Sequence, residues 1–406
     1  MMVPNDVFRL LAKSCRRFRV LYLAGMLCLF CPWGYGGESS ADLRIGVFPH
    51  TKKTELGSGT YVVKDPPTAK GRRYSWDRSV PVAAGAKGLS VGDKTFGKRL
   101  LLEPGDGRAV IVVGGKKYRG RIEFWYDGPG SFSVINVVAI EDYIKGILTH
   151  EMSPAWPLEA LRAQAVISRS YVLSNRGRHG QDGFDVCADI HCQVYGGQGA
   201  ERPLTNRAVE DTYQEILVAE GKPLTAVFHS CCGGRTEEPQ NVWEGSRTPG
   251  LRSVRCKWCR ESPHHRWEAS VGADALSQAL KRDGNDIGMI KKFRVLSRSK
   301  SGRAYEVELM GDRGRVSMKA SVFRLMAGSR LLKSTMWTGV SQKMQTVKDP
   351  QTGRKVKKLV LRFYGQGWGH GVGLCQWGAK GLADRGDSYK EILDRYYPEA
   401  RLRVSP

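Results

Sequence analysis

Residues 140–154, IEDYIKGILTHEMSP, carry one carboxyl group in an unusual position. Ile140, Ile144, Ile147 and Leu148 recur at helical spacing and define one apolar face. Glu151 lies four residues after Ile147 and seven after Ile144, so it continues that same face. Pro154 and Pro157 stop the helix just beyond it. A carboxyl group emerging at a helix end against hydrophobic surface loses water, which disfavours its charged form and raises its pKa. A general acid working near neutral pH needs that state. Glu141 and Asp142 fit the first turn, where negative charge is stabilising without further role, and Glu159 opens the next helix in the same way. The bland alternative for Glu151 is a carboxylate that curls back to solvent or pairs with a base.

The following helix adds polar groups. Leu158, Leu161, Ala165 and Val172 share a stripe, and Arg169 lies inside it. A cation in a core stripe is paired or hydrogen-bonded, so Arg169 either makes a structural bridge or touches a substrate. Gln164, Ser168 and Tyr171 form a polar stripe alongside. Further on, His179, Cys187, His191 and Cys192 gather two imidazoles and two thiols within fourteen residues. That is a full tetrahedral ligand set for zinc, in a loop with little else to hold it. A Cys187–Cys192 disulfide is the competing use of the same thiols. Cys231, Cys232, Cys256 and Cys259 form a second group, which can bind another zinc ion or close one or two disulfides. An exported chain favours the disulfides there. Cys375 is left over.

Cys375 sits in residues 365–379, GQGWGHGVGLCQWGA, with glycine at every second position for five repeats. As an extended strand, this stretch puts all five glycines on one face and Gln366, Trp368, His370 and Val372 on the other. A backbone that bare lets a flat sugar chain reach its N–H and C=O groups. Trp368 or Trp377 can stack on a pyranose face, and His370 and Gln376 offer orienting hydrogen bonds. Tight packing of the ribbon against a helix is the structural alternative. A phosphate loop is disfavoured: no register completes G-x-G-x-x-G, and neither Lys-Ser nor Lys-Thr follows.

These groups need a framework. The chain has 406 residues, 41% of them hydrophobic, enough for a sizeable core. Its formal charge of +24 points to a polyanionic partner, yet the basic residues are scattered and no nucleic-acid motif appears. Arg16, Arg17 and Arg19 precede an apolar run over residues 20–33, too short for a comfortable membrane span and matching a signal-peptide core. Ser39 and Ala41 offer a cleavage site, so residues 1–41 read as a signal peptide, with an uncleaved anchor as the alternative. Either way the body is exported, to the periplasm, cell envelope or medium. Residues 42–137 are rich in strand and turn signals, notably 43–48, 109–113 and 121–126. Helices are predicted from about residue 140, over 157–175, over 205–215 and over 389–397. Residues 290–364 return to short strands, with a hairpin around residues 349–353. No βαβ alternation appears, so the class is α+β, with residues 138–406 forming the main functional domain.

Three motifs now line up in order. Residues 150–166 (HEMSPAWPLEALRAQAV), residues 228–236 (FHSCCGGRT) with Val242, Trp243 and Glu244, and residues 367–379 (GWGHGVGLCQWGA) resemble the signatures of the SpoIID/LytB family. This family comprises stage II sporulation protein D and the amidase enhancers, and the likeness runs from about residue 43 to the C-terminus. The resemblance implies a lytic transglycosylase that cleaves peptidoglycan glycan strands, notably strands stripped of stem peptides. It makes Glu151 the catalytic acid and implies a groove in which Gln164, Arg169, Tyr171, Trp368, His370 and Gln376 contact the strand. It also implies a structural zinc on His179, Cys187, His191 and Cys192, with no cofactor for catalysis. A second reading is a non-catalytic wall protein that binds glycan and activates an amidase. A third is a hydrolysing glycosidase using a second carboxylate such as Glu237 or Asp384.

Overall fold

The computed structural model describes residues 42–105, 110–243, 245, 247–348 and 355–405; the predicted signal segment, Ala109, Glu244 and the tip of the predicted hairpin lie outside them. Seven α-helices occur among the described residues: α1 (Ile140–Glu151), α2 (Leu158–Ser174), α3 (Pro203–Asp211), α4 (Ala273–Arg282), α5 (Ala320–Ala327), α6 (Gln376–Ala383) and α7 (Tyr389–Tyr396). None is long and apolar enough to cross a membrane. Mixed sheets and helices without βαβ repetition make the fold α+β, as predicted.

The chain divides into two compact units. The first ends at Pro154 and is completed by Asn175–Tyr213; the second comprises Ala155–Ser174 and Gln214–Pro406. In the first unit, the longest sheet has Ser131–Ala139 near its middle, paired antiparallel with Asp42–Thr51 on one side and Arg121–Gly128 on the other. Residues 132–138 of that strand are all buried, so both of its faces are covered. Glu123 is also fully buried; Arg44 meets it at 2.8 Å and Arg99 binds its other oxygen. Removing one partner of a buried ion pair is strongly destabilising, so these contacts hold the sheet together. The central strand runs directly into α1, whose buried residues are Tyr143, Ile144, Gly146, Ile147 and Leu148.

In the second unit, α2 is buried on nearly every side, including Gln164, Ser168 and Arg169. Two three-stranded sheets, Arg266–Gly272/Lys355–Gln366/Trp337–Lys348 and Ile290–Arg298/Ala304–Gly311/Arg315–Lys319, share a core with α4 and α5. Phe293, Phe323, Trp337 and Phe363 pack there, with ring centroids 5.0–5.9 Å apart. Helix α7 starts at a capping box: Glu391 accepts the Ser388 N–H at 2.8 Å, and Ser388 Oγ accepts that of Glu391.

The glycine stretch departs from the extended strand that its alternation predicts. The regular strand ends at Gln366, and the next strand, Leu374–Cys375, begins only after the glycines. Gly367 and Gly373 take φ values of +77° and +71°, which side chains rarely tolerate. The bare edge lies against protein backbone instead of facing outward for a sugar. A Cβ on Gly367 would stand 2.5 Å from the Cys231 carbonyl oxygen, and one on Gly373 only 1.9 Å from that of Val227. Trp368 and Cys231 exchange backbone hydrogen bonds of 2.7 and 3.1 Å across this contact. The packing partner is the segment 227–233, where the sequence alternative named a helix. Gly373→Ala is therefore expected to cost about 1–3 kcal/mol or more in urea unfolding. A loss below about 0.5 kcal/mol, the size of an ordinary surface change, would contradict this packing.

Candidate active site and metal centre

Helix α1 delivers one carboxyl group out of water. Glu141 and Asp142 occupy its first turn, and its last residue is Glu151. Met152 then leaves in extended conformation, its N–H bonding the Leu148 carbonyl at 3.0 Å. Glu151 is half-buried by surface, and burial pushes its carboxyl pKa from the usual 4.5 up to about 7. Near neutral pH the group therefore keeps a substantial protonated fraction, able to give a proton and then take one. Beside it in the chain, Thr149, His150 and Pro154 line a cleft of about 870 Å³ together with Lys116, Tyr118 and Arg202. Burial, reinforced by Lys116, holds the His150 pKa below its ordinary value.

The predicted metal ligands come together in the same unit. The ligand atoms of His179, Cys187, His191 and Cys192 all lie within 4.8 Å of one another. His179 Nε2 is 3.2 Å from His191 Nδ1. Cys192 Sγ is 3.5 Å from each of those nitrogens, and Cys187 Sγ is 3.8 Å from His191 Nδ1. A tetrahedron with Zn–S about 2.3 Å and Zn–N about 2.0–2.1 Å has N···N edges of about 3.3 Å and S···N edges of about 3.5 Å, so the set fits zinc. Asp182 lies 3.4 Å from His179 Nδ1, where a carboxylate orients a ligating imidazole. Both cysteines are free thiols, and Cys187 extends a small core of Ile135, Val137 and Phe184. A metal held there would tie the loop to the edge of the sheet, where Val186–Cys187 pairs with Asp42–Thr51.

The remaining predicted residues belong to the second unit. Gln376 Nε2 donates to Gln164 Oε1 at 3.3 Å, and Gln164 Nε2 donates to Ser168 Oγ at 3.1 Å. Both glutamines are buried, so α2 and α6 share one polar chain. Arg169 has no exposed surface and donates to the Glu215 carbonyl at 2.7 Å, a bridge to the strand Glu215–Ala219. Tyr171 is half-buried on α2. His370 Nδ1 accepts the Val372 N–H at 3.1 Å, and the ring also bonds the Phe228 backbone. Burial, with Arg324 adding to it, lowers the His370 pKa to about 3, so the ring is neutral. Trp368 meets His264 edge-on at 4.3 Å and has Lys333 5.7 Å from its ring.

One aromatic pair escaped the sequence reading. Trp156, from the first motif, lies edge-on to Trp377 at 5.0 Å, and both rings are partly exposed. They belong to the first and third motifs, more than two hundred residues apart, so no spacing in the sequence could have joined them. Of the competing carboxylates, Glu237 is buried and accepts from Asn241, Ser299 and Ser301, and Asp384 pairs with Lys380 at 2.6 Å.

A half-buried carboxyl at a helix end, a two-histidine, two-cysteine cluster and a Gly-Trp-Gly-His-Gly run stand together in this chain. The family model "Stage II sporulation protein" (SpoIID) matches residues 129–218, and a domain of unknown function matches residues 257–373. The chain is 31% identical over 323 residues to an uncharacterised protein of Brachyspira hyodysenteriae, covering 79% of this chain and 81% of that one. It is 28% identical to the amidase enhancer of Bacillus subtilis, over 76% of this chain and 47% of that protein, so it spans about half of that relative. Stage II sporulation protein D of Bacillus amyloliquefaciens is 26% identical, over 64% of this chain and 73% of its own. The chain belongs to the SpoIID family.

A carboxyl whose pKa rises on folding costs stability only where the unfolded chain has ionised it. The wild type is therefore expected to lose thermal stability relative to Glu151→Gln as pH rises from 4.5 to about 7, with no further divergence above. Melting curves of both proteins across pH 4–8 check this. A gap independent of pH would place the Glu151 carboxylate in water.

Proposed function

We propose that this protein is a lytic transglycosylase of peptidoglycan glycan strands, with Glu151 as its general acid and base. The observation that carries the reading is the position of Glu151: the last residue of an apolar helix, its pKa raised by burial to about 7. Membership in the SpoIID family, and similarity to a protein named amidase enhancer, support a cell-wall substrate.

In this mechanism, protonated Glu151 gives its proton to the oxygen linking N-acetylmuramic acid to the next sugar, and the C1–O bond breaks. The resulting carboxylate takes the proton of the 6-hydroxyl, whose oxygen bonds to C1 as a 1,6-anhydro ring. Glu151 ends protonated, and no water is consumed. One carboxyl does both steps in turn, so the paired carboxylates of hydrolysing glycosidases are not needed. Acid–base assistance supplies roughly 10²–10⁴ in rate, and binding and distortion of the sugar must supply the rest. A glycan strand is a long ligand, and the reading assigns contacts with it to Tyr171, Trp368 and the Trp156–Trp377 pair, while buried Gln164 and Gln376 brace α2 against α6. Arg169 and His370, engaged with backbone, hold those groups in place. The charge of +24 suits strands whose lactyl carboxylates are freed when peptides are removed. The chain acts outside the cytoplasm, and zinc on His179, Cys187, His191 and Cys192 is structural.

The similarity to an amidase enhancer favours one further reading, a glycan-binding protein that activates an amidase without cleaving strands. Mass spectrometry of products from amidase-stripped strands separates the two. Wild type is expected to release anhydro-ended fragments, and Glu151→Gln to lose at least about a hundredfold in rate. Intact strands from both proteins, with amidase activation equal in both, would overturn the enzymatic reading. Cys187→Ser is expected to lose one zinc and melt at lower temperature, while the pH dependence of cleavage keeps its midpoint.

A further inference from the structure

We infer that Cys232, Cys256, Cys259 and Cys375 form a second, tetrathiolate zinc site that fixes the end of the glycine stretch. The sequence favours disulfides for the first three and leaves Cys375 unassigned. The fold brings Cys375 to the others, although it lies more than a hundred residues downstream. The four sulfurs lie within 4.8 Å of one another, and all four residues are buried. Cys232 Sγ and Cys259 Sγ are 3.6 Å apart. A disulfide needs about 2.05 Å. The edge of a tetrahedron with Zn–S of about 2.3 Å is about 3.8 Å, close to what is found. Zinc and iron both take four thiolates in this geometry, and the Cys256-x-x-Cys259 spacing is a common zinc-ligand pair.

The surroundings are built for negative sulfur. Cys375 is the N-cap of α6, and its Sγ accepts N–H groups from Gly378 at 3.3 Å and from Cys232 at 3.2 Å. Cys232 Sγ accepts the Gly234 N–H at 3.3 Å. Tyr396 Oη lies 3.1 Å from Cys256 Sγ, placed to donate. Such donors are the outer contacts that a metal-bound thiolate requires. Zinc with four thiolates carries a charge of about −2. Arg303, 1% exposed, answers it with a guanidinium anchored on the carbonyls of Cys232 (2.6 Å) and Arg235 (3.1 Å). Gly378 is bare for the same reason: a Cβ there would stand 2.7 Å from Cys256 Sγ and 1.9 Å from Tyr396 Oη. Cys231, a fifth thiol, approaches the Cys259 carbonyl at 3.7 Å and lies outside the set of four.

The ion joins three distant segments: the turn at 231–234, the loop 256–259 and the start of α6. Gln376 and Trp377 follow Cys375 directly, so the site fixes where they project. The inference stands on the thiols alone, whether the protein cleaves glycan or only binds it.

The full chain, purified without chelator, is expected to hold one zinc more than Cys375→Ser and the same amount as Cys231→Ser. If Cys375→Ser does not fold, the wild type still answers. Its four cysteines should resist alkylation until a chelator removes zinc, and should then react as reduced thiols. Cobalt substitution should give thiolate charge-transfer absorption that persists in Cys187→Ser. Disulfide-linked peptides containing any of the four cysteines, equal zinc in wild type and folded Cys375→Ser, or iron in place of zinc would overturn the assignment.

Discussion

Taking a carboxylate out of water costs several kcal/mol unless a cation or hydrogen-bond donors replace its hydration. The first unit contains both solutions. Glu123 is buried and held by Arg44 and Arg99. Glu151 closes an apolar helix face, and burial is the leading influence on its pKa, so its proton is retained to about pH 7. The difference is one of surroundings alone. An acid held by two guanidinium groups builds structure, whereas an acid raised in pKa is available for proton transfer. Everything proposed for catalysis depends on that contrast.

The second unit rests on a different constraint, the close approach of two backbones. Gly367, Gly369 and Gly373 let this stretch lie against residues 227–233, and Gly371 makes room for the Arg303 guanidinium. The stretch then delivers Leu374 and Cys375 into a short parallel pairing with Phe228 and His229. Helix α6 begins immediately afterwards and presents Gln376 to Gln164. The alternation of glycines is thus a packing code. The side chains proposed to meet or position the substrate are Trp368 and His370 within it and Gln376 and Trp377 after it.

The sequence made some of this legible and hid the rest for physical reasons. Helix α1, its acidic start and its terminal Glu151 were readable because local periodicity and proline set them. The cluster of His179, Cys187, His191 and Cys192 was readable because four donors fall within fourteen residues. The predicted helix over 205–215 occurs as Pro203–Asp211, because the proline sets its start and the chain turns at Thr212. Helices α4, α5 and α6 were missed; α6 follows a glycine run that masks its beginning. The gathering of Cys375 with Cys232, Cys256 and Cys259 was beyond sequence reading, since it depends on tertiary approach. So was the glycine register: period-two spacing mimics a strand, but positive φ at alternate residues breaks it.

The protonation of Glu151 is the point on which the proposal turns, and it can be observed without substrate. Carbon-13 labelling of glutamate, with Glu151→Gln to assign its side-chain carboxyl signal, allows that group to be titrated by NMR in the intact chain. The account predicts a midpoint near pH 7 for this one carboxyl. A midpoint near the ordinary glutamate value of about 4.3 would contradict it and remove the proton on which the mechanism depends.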